Sequence, residues 1–195
     1  MFFDKNRGAG AEWLVVGLGN RAITPDNIGP KAADQTMVTR HLVERVPEHF
    51  GSFRPVAALA AGVLGTTGME SGEVVRAVAE QIKPACVVAV DALASRSLKR
   101  LCRTVQLSDT GIAPGSGVGN HRREISARVL GVPVVALGIP TVVSSRVLGG
   151  TAEEMYVTPR EIDQLINRGA KLLGMSINVC LQRHLQPRDL YTLVG

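Results

Sequence analysis

The chain of 195 residues is poor in aromatic residues, poor in cysteine and free of long apolar runs. Phe, Trp and Tyr make up 4% of it, so we expect a core of Val, Leu, Ile and Ala, which suits a sheet covered by helices on both faces. No apolar stretch approaches the ~20 residues of a membrane span, so no membrane partner is expected. Three cysteines in no metal-binding spacing, without a signal peptide, exclude a zinc module and favour a reducing cytoplasm.

The charge balance is basic, with a net charge of +5 and an isoelectric point near 9.5. A positive field attracts nucleic acids and acidic proteins. However, no basic run is interleaved with aromatic residues, as a surface that stacks on bases requires. We therefore favour a surface rich in Lys and Arg and expect no direct nucleic-acid partner.

Apolar segments alternate with segments of helical periodicity along the chain, which predicts an α/β fold. We expect a three-layer sandwich, with a mainly parallel or mixed central sheet and helices on both faces, in a single domain over residues 1–195. Residues 1–12 are expected to be frayed and residues 144–155 to form a Ser/Gly-rich connection. The predicted strands are 13–20, 55–65, 85–94, 101–109 and 132–143, and the predicted helices are 29–46, 71–83, 121–131 and 158–185, the last with Thr158 as N-cap and Pro159 at the first position.

Ligand sites of open α/β sheets lie beyond the carboxyl ends of the strands. The polar residues that follow the predicted strands include Asn20, Thr24, Asp26, Glu70, Asp91, Ser95, Arg96, Asp109 and Asn120. Asp91 follows a run of Val and Ala, where burying a carboxylate is costly unless it is paired or protonated. If the first and third strands are neighbours, Asp26 and Asp91 converge, so that one keeps a proton while the other activates water. The equally weighted alternative is that both residues cap turns or helices.

Two short motifs in the chain suggest functions that their context excludes. Residues 109–111 read Asp-Thr-Gly, as in pepsin-type proteases, but those enzymes are all-β and need two such carboxylates, whereas this α/β chain has one copy. Residues 17–22, "GLGNRA", fit a dinucleotide-binding fingerprint. Because Pro25 and Pro30 delay the helix, and no acidic residue closes a second strand at the expected distance, nucleotide binding is not expected.

Four segments, in order, resemble the germination protease family of endospore-forming bacteria. The resemblance is nearly continuous from about Leu14 to Val143 and returns at residues 155–166. It implies an atypical aspartic endopeptidase, without cofactor or metal, that degrades small acid-soluble spore proteins in the germinating spore core. The segments are "LVVGLGNRAITPDNIGPKAADQTMVTRHL", "FRPVAALAAGVLGTTGMESGEVV", "VDALASRSLKRLCRTVQLSDTGIAPGSGVGNHRREIS" and "LGVPVVALGIPTVV".

The resemblance also implies roles for particular residues. The family's two carboxylates thought to be catalytic lie in its "TPD" loop and at its "DALA" strand end, which correspond to Asp26 and Asp91. Asp109 is then expected to line the same cleft without being the catalytic residue. The other residues expected to bind substrate or support the site are Asn20, Thr24, Glu70, Ser95, Arg96 and Asn120. The family's tetrameric assembly implies a homo-oligomer.

The chain also departs from the family. Members are considerably longer, and the chain lacks most of their N-terminal region, including the propeptide, and a large insertion between "PTVV" and "VTPREID". Ala113 stands where the family often has His, which removes one possible metal ligand. Two alternatives therefore stay open: a shortened relative that binds spore protein or peptide without cutting it, and a metal-dependent peptidase similar to hydrogenase-maturation peptidases, which share the strand ending in Asp.

Overall fold

The computed structural model describes residues 11–119, 123–149 and 154–194. Six strands of this part form one mixed sheet in the order β2-β1-β3-β5-β4, with β6 pairing with the end of β5. The first four strands of that order are parallel, and β4 and β6 run antiparallel to β5. The strands are β1 (Trp13–Leu18), β2 (Val56–Gly62), β3 (Cys86–Ser95), β4 (Gln106–Ser108), β5 (Val134–Ser144) and β6 (Tyr156–Val157).

Helices cover both faces of this sheet, which confirms the predicted three-layer α/β fold. The helices are α1 (Ile28–Asp34), α2 (Arg40–Arg45), α3 (Pro47–Phe50), α4 (Leu64–Thr67), α5 (Ser71–Ile82), α6 (Ala127–Leu130), α7 (Ile162–Leu181) and α8 (Pro187–Val194). Because side chains alternate along a strand, Val15 of β1 packs on the α1 and α7 side, and Val16 packs on the α5 side. Among the described helices, none combines the length and the apolar composition that crossing a bilayer requires.

Strand β3 extends further than its neighbour β1 at the carboxyl end, which leaves a step in the sheet. The pairing of β1 with β3 ends at Gly17 and Val90, whereas the pairing of β3 with β5 continues through Asp91 to Ser95. The predicted strand 85–94 matches β3 to within one residue, but the expectation that Asp91 lies at a strand end is wrong, because the long β5 keeps β3 extended past it. Asp91 is instead the first residue of β3 without a partner in β1.

The single helix predicted over residues 29–46 is also wrong, because α1 ends at Asp34 and α2 begins at Arg40. The break is stabilised by Asn178 of α7, a buried side chain. Its Nδ2 donates to the carbonyl oxygen of Gln35 at 2.9 Å, and its Oδ1 accepts from the main-chain nitrogen of Met37 at 2.8 Å. A hydrogen-bonding partner more than a hundred residues away leaves no local signal in the sequence.

Several other boundaries differ from the predictions. Thr158 does not cap α7, because its hydroxyl donates to the carbonyl oxygen of Thr141 at 2.8 Å and α7 begins four residues later. Strand β4 is shorter than the predicted 101–109, since a turn precedes it, and the predicted helix 121–131 is reduced to α6 in the described residues. Strand β6 and helix α8 were not predicted. The predicted frayed start falls largely on residues 1–10, which lie outside the described residues. Of the predicted connection, residues 144–149 and 154–155 are described, and they include a short 3₁₀ helix, Ser145–Leu148.

Candidate active site

A cleft of about 460 Å³ lies beyond the carboxyl ends of β1 and β3. Its walls are the loop after β1, the step in β3, the glycine-rich loop of residues 112–117 and the end of β5. Asp26 and Asp91 are the two charged residues among its described lining. The lining consists of Gly19, Ile23, Pro25, Asp26, Val63, Ser71, Asp91, Ala92, Leu93, Ala94, Gln106, Ile112, Ala113, Pro114, Gly115, Ser116, Gly117, Thr141, Val142 and Tyr156.

Asp26 is presented by a short 3₁₀ helix, Thr24–Asp26, that follows β1. Pro25 fixes the backbone at the start of this turn, and the main-chain nitrogen of Asn20 donates to Oδ2 of Asp26 at 2.7 Å. Gly19 has a φ of +115°, and a Cβ there would collide with the carbonyl oxygen of Asp26. The loop therefore returns on itself through a glycine and holds a half-buried carboxylate at the cleft.

Asp91 is presented by the sheet itself and is only 4% exposed. Its Oδ1 accepts from the main-chain nitrogen of Ala92 at 2.9 Å. Burying a carboxylate is costly, and the step in the sheet lowers that cost by opening this position towards the cleft. The two carboxylates thus come from different kinds of support, Asp26 from a loop and Asp91 from a strand.

The two carboxyls were expected to converge if the first and third predicted strands were neighbours. Strands β1 and β3 are parallel neighbours, and Asp26 and Asp91 line one cleft. Asn20 is not itself among the described cleft lining, but its main-chain nitrogen donates to Asp26, while its Oδ1 accepts from the main-chain nitrogen of Ala22 at 2.9 Å. The predicted site residues Asp26, Asp91 and Asn20 are therefore brought together. Asp26 and Asp91 are 65 positions apart in the sequence, and the parallel pairing of β1 with β3 brings them to the same cleft.

The other predicted site residues that the structure describes are not among the cleft lining. Thr24 donates to Oδ1 of Asp163 on α7 at 3.2 Å, and the buried Ser95 closes the turn that follows β3 by donating to the carbonyl oxygen of Ser97 at 2.6 Å. Glu70 precedes α5 and accepts from the main-chain nitrogen of Arg123 at 3.4 Å. Arg96 and Asp109 are exposed. Asn120 lies outside the described residues.

The residues of the cleft that the sequence reasoning missed include Thr141, Val142 and Tyr156. The hydroxyl of Tyr156 donates to the carbonyl oxygen of Gly117 at 3.2 Å, which links β6 to the glycine-rich wall. The end of the strand predicted over residues 132–143 was a usable signal for Thr141, because the rule applied to the other strands applies there as well. Tyr156 had no such signal, since β6 was not predicted.

The alternative of a metal-dependent peptidase requires a group of metal ligands at this site. Among the described residues, no three His, Cys, Asp or Glu side chains form a group able to hold a metal ion. Glu70, which that alternative would use beside Asp26 and Asp91, is not part of the cleft lining. Ala113, where a His would stand in many members, does line the cleft.

A model of the germination protease family matches residues 4–150, about three quarters of the chain. The germination protease of Clostridium perfringens is 42% identical over 220 aligned positions, which cover 91% of this chain and 68% of that protein. The chain belongs to the germination protease family. It is therefore a peptidase, of the kind that acts in spore germination.

A further relative agrees with this assignment, and one solved structure has a similar fold. The germination protease of Priestia megaterium is 53% identical over 136 residues, which cover 69% of this chain and 37% of that protein. A NiFe hydrogenase maturation protease from Thermococcus kodakarensis superposes with a TM-score of 0.55 at 20% identity, over 93% of this chain and 98% of that one. At that identity the likeness supports the α/β fold alone.

Proposed function

We propose that this germination protease is an endopeptidase that cleaves small acid-soluble spore proteins in the spore core, with Asp26 and Asp91 as its catalytic residues. The observation that carries the proposal is that these two carboxylates are the charged residues among the described lining of one cleft. A pair of carboxyl groups that share a proton is an established means of activating water without a covalent intermediate.

The surroundings of the two carboxyls suggest different roles. Burial disfavours the charged form of an acid, so Asp91, the more buried of the pair, is assigned the protonated role. Asp26, which is less buried and also accepts a main-chain N–H, is assigned the ionised role. In the proposed step Asp26 removes a proton from water, the hydroxide attacks the peptide carbonyl carbon, and Asp91 donates its proton to the carbonyl oxygen. Collapse of this gem-diol intermediate expels the amine, which takes up the proton held by Asp26, while one hydroxyl returns its proton to Asp91, so that both carboxyls regain their starting states.

The partners proposed for this activity follow from the family. Small acid-soluble spore proteins are the proposed substrate, and a homo-oligomer is the proposed assembly. A single domain over residues 1–195 is proposed to carry the activity. The walls of the cleft are mostly small and apolar side chains, which suits contact with an uncharged stretch of polypeptide.

The test is a digest of a purified small acid-soluble spore protein, with fragments read by mass spectrometry. The wild-type chain is expected to produce defined fragments, while Asp26→Asn and Asp91→Asn, each isosteric with the native residue, reduce the rate by more than about a thousandfold. Asp189→Asn, which changes an exposed carboxylate of α8 outside the described cleft lining, is the matched control and is expected to cut at the wild-type rate.

Thermal unfolding of the three variants decides between loss of chemistry and loss of fold. A variant that melts with the wild type and does not cut supports the carboxylate pair, and cleavage that survives the double substitution contradicts it. Cleavage that stops on addition of a chelator and returns with added metal supports the metal-dependent alternative. Saturable binding of the spore protein without fragments, by the wild-type chain, supports a relative that binds but does not cut.

A further inference from the structure

The turn between β3 and β4 carries a dense cluster of positive charge. Residues 96–103, the basic turn, contain four cationic side chains, and no acidic residue occurs between Asp91 and Asp109. All four cations are exposed to solvent. They are Arg96, Lys99, Arg100 and Arg103.

In the described part of the chain, seven arginines outside the basic turn form ion pairs, whereas these four cations form none. Arg21, Arg76 and Arg128 each form an ion pair at 2.6–2.7 Å with a neighbouring carboxylate. Within residues 11–119, 123–149 and 154–194, no carboxylate forms an ion pair with any cation of the basic turn. Their mutual repulsion is therefore not offset by intramolecular pairing, which is the arrangement expected where a partner supplies the negative charge.

The basic turn is a folded platform. The hydroxyl of Ser95 accepts from the main-chain nitrogen of Ser97 at 3.1 Å at its start. At its end, Cys102 adopts a φ of +53° and its main-chain nitrogen donates to the carbonyl oxygen of Pro140 in β5 at 2.7 Å. Because both ends are tied to the sheet, ordering the turn on binding costs little further conformational entropy.

The basic turn adjoins the catalytic cleft. The chain leaves the cleft lining at Ala94 and returns to it at Gln106. Arg103 also lines a second cavity of about 210 Å³, together with Arg168 of α7, an exposed cation that likewise has no ion pair among the described residues. Thr141 lines both cavities, so the second cavity lies directly beside the cleft.

We infer that the basic turn and Arg168 form a docking site for an acidic stretch of the polypeptide whose scissile bond lies in the cleft. This inference rests on the proposed function and adds a substrate-selecting surface outside the reacting groups. A polypeptide is favoured over a nucleic acid because residues 96–104 contain no aromatic side chain on which bases would stack. Among the described residues, the lining of the cleft includes no cation, so selection of acidic sequences is assigned to this neighbouring surface.

The experiment uses two peptides that share one cleavage site, mapped in the digest of the spore protein. One carries flanking glutamates and the other carries glutamines at the same positions. The wild-type chain is expected to cleave the glutamate peptide with a kcat/KM about tenfold higher, mainly through KM, and the preference is expected to fall with added salt. The variant Lys99→Glu/Arg100→Glu is expected to lose the preference while cleaving the glutamine peptide at the wild-type rate.

A matched control changes the same charges elsewhere. Arg45 precedes β2 and Lys83 precedes β3, so both lie towards the amino ends of these strands, whereas the cleft lies towards the carboxyl ends. Both side chains are exposed. The variant Arg45→Glu/Lys83→Glu is expected to keep the preference for the glutamate peptide. If both variants lose the preference for the glutamate peptide equally, the effect depends on net charge alone and the inference is overturned. A wild-type chain without the preference would overturn it as well.

The failure of the docking site and the failure of the proposed function give different results. Cleavage of the glutamine peptide that Asp91→Asn abolishes supports the proposed chemistry whatever the glutamate preference is. If the wild-type chain cleaves neither peptide, fluorescence anisotropy of the labelled glutamate peptide tests the basic turn alone, and binding that survives Lys99→Glu/Arg100→Glu overturns the inference. A single-stranded oligonucleotide that displaces the glutamate peptide at lower concentrations than unlabelled peptide does would reassign the surface to nucleic acid.

Discussion

The main-chain nitrogen of Asn20 donates a hydrogen bond to Oδ2 of Asp26 at 2.7 Å, so the loop after β1 positions the carboxylate with its own backbone. The hydrogen bond depends on the path of the chain through Gly19, whose φ is +115°. A side chain at that position would meet Oδ1 of Asp26 at 3.1 Å as well as its carbonyl oxygen. The position of this carboxylate is therefore sensitive to a residue that carries no functional group.

Gly19→Ala is expected to lower kcat on a spore protein by about a hundredfold, because small displacements of a reacting group have effects of that size. It is also expected to cost about 1–2 kcal/mol of unfolding free energy, since a Cβ is strained at positive φ. Gly68→Ala is the control, because Gly68 has a φ of +71° and no atom within 4 Å of an added Cβ. Equal activity of the two variants would show that Gly19 has no part in placing Asp26.

Tyr156→Phe removes the hydroxyl that donates to Gly117 and leaves the ring in place. We expect KM to rise about fivefold, in line with the ~1 kcal/mol net value of one hydrogen bond, while kcat changes little. Tyr191→Phe is the matched control, since it removes a hydroxyl that accepts from Lys171 at 3.3 Å on α7. An unchanged KM in Tyr156→Phe would mean that the link does not shape the substrate-binding wall.

Asn178→Leu is expected to lower the free energy of unfolding by about 2–4 kcal/mol, because it leaves two partly buried main-chain groups without their partner. Urea unfolding measures this loss. Asn167→Leu on the exposed face of the same helix removes one contact with Lys31 and is expected to change stability by less than about 0.5 kcal/mol. If the two variants unfold alike, the break between α1 and α2 does not depend on Asn178.

Burial, and after it the charge of Glu161, raises the pKa of the Cys102 thiol above its ordinary value. Because the thiolate is the reactive form, Cys102 is expected to alkylate more slowly at neutral pH than the exposed Cys180. Glu161→Gln removes the smaller cause and lowers that pKa, so it is expected to speed the alkylation of Cys102 and leave Cys180 unchanged. Peptide mapping over time, at several pH values, measures both rates, and faster labelling of Cys102 than of Cys180 in the wild type would contradict this account.

Much of the fold was predictable because it depends on local pattern. The runs that became β1, β3 and β5 are apolar without alternation, and α5 shows a clear apolar stripe with Val75 fully buried. Such patterns predict strands reliably because a strand of a parallel sheet is buried on both faces and therefore needs a nearly continuous apolar sequence. The single helix of 29–46 failed for the opposite reason, since its break depends on the distant Asn178.

The candidate site was predictable in part. Residue types and strand ends alone left Asp26 and Asp91 evenly balanced between chemistry and capping, and the pairing of β1 with β3 is what brings them to one cleft. Glu70, Ser95 and Asp109 also follow strands, but the turns after a strand decide which polar residues face the cleft. Those turns are set by individual contacts, such as that of Ser95 with Ser97, which no periodicity reveals.

The division of the two carboxylates between a loop and a strand has a consequence for how activity responds to stress. Asp91 moves only if the central strands of the sheet separate, whereas Asp26 moves whenever the short segment between β1 and α1 opens. Local opening of a loop requires less free energy than global unfolding. Heat or mild denaturant is therefore expected to silence the enzyme while the sheet is still intact, and cooling or dilution to restore it without refolding.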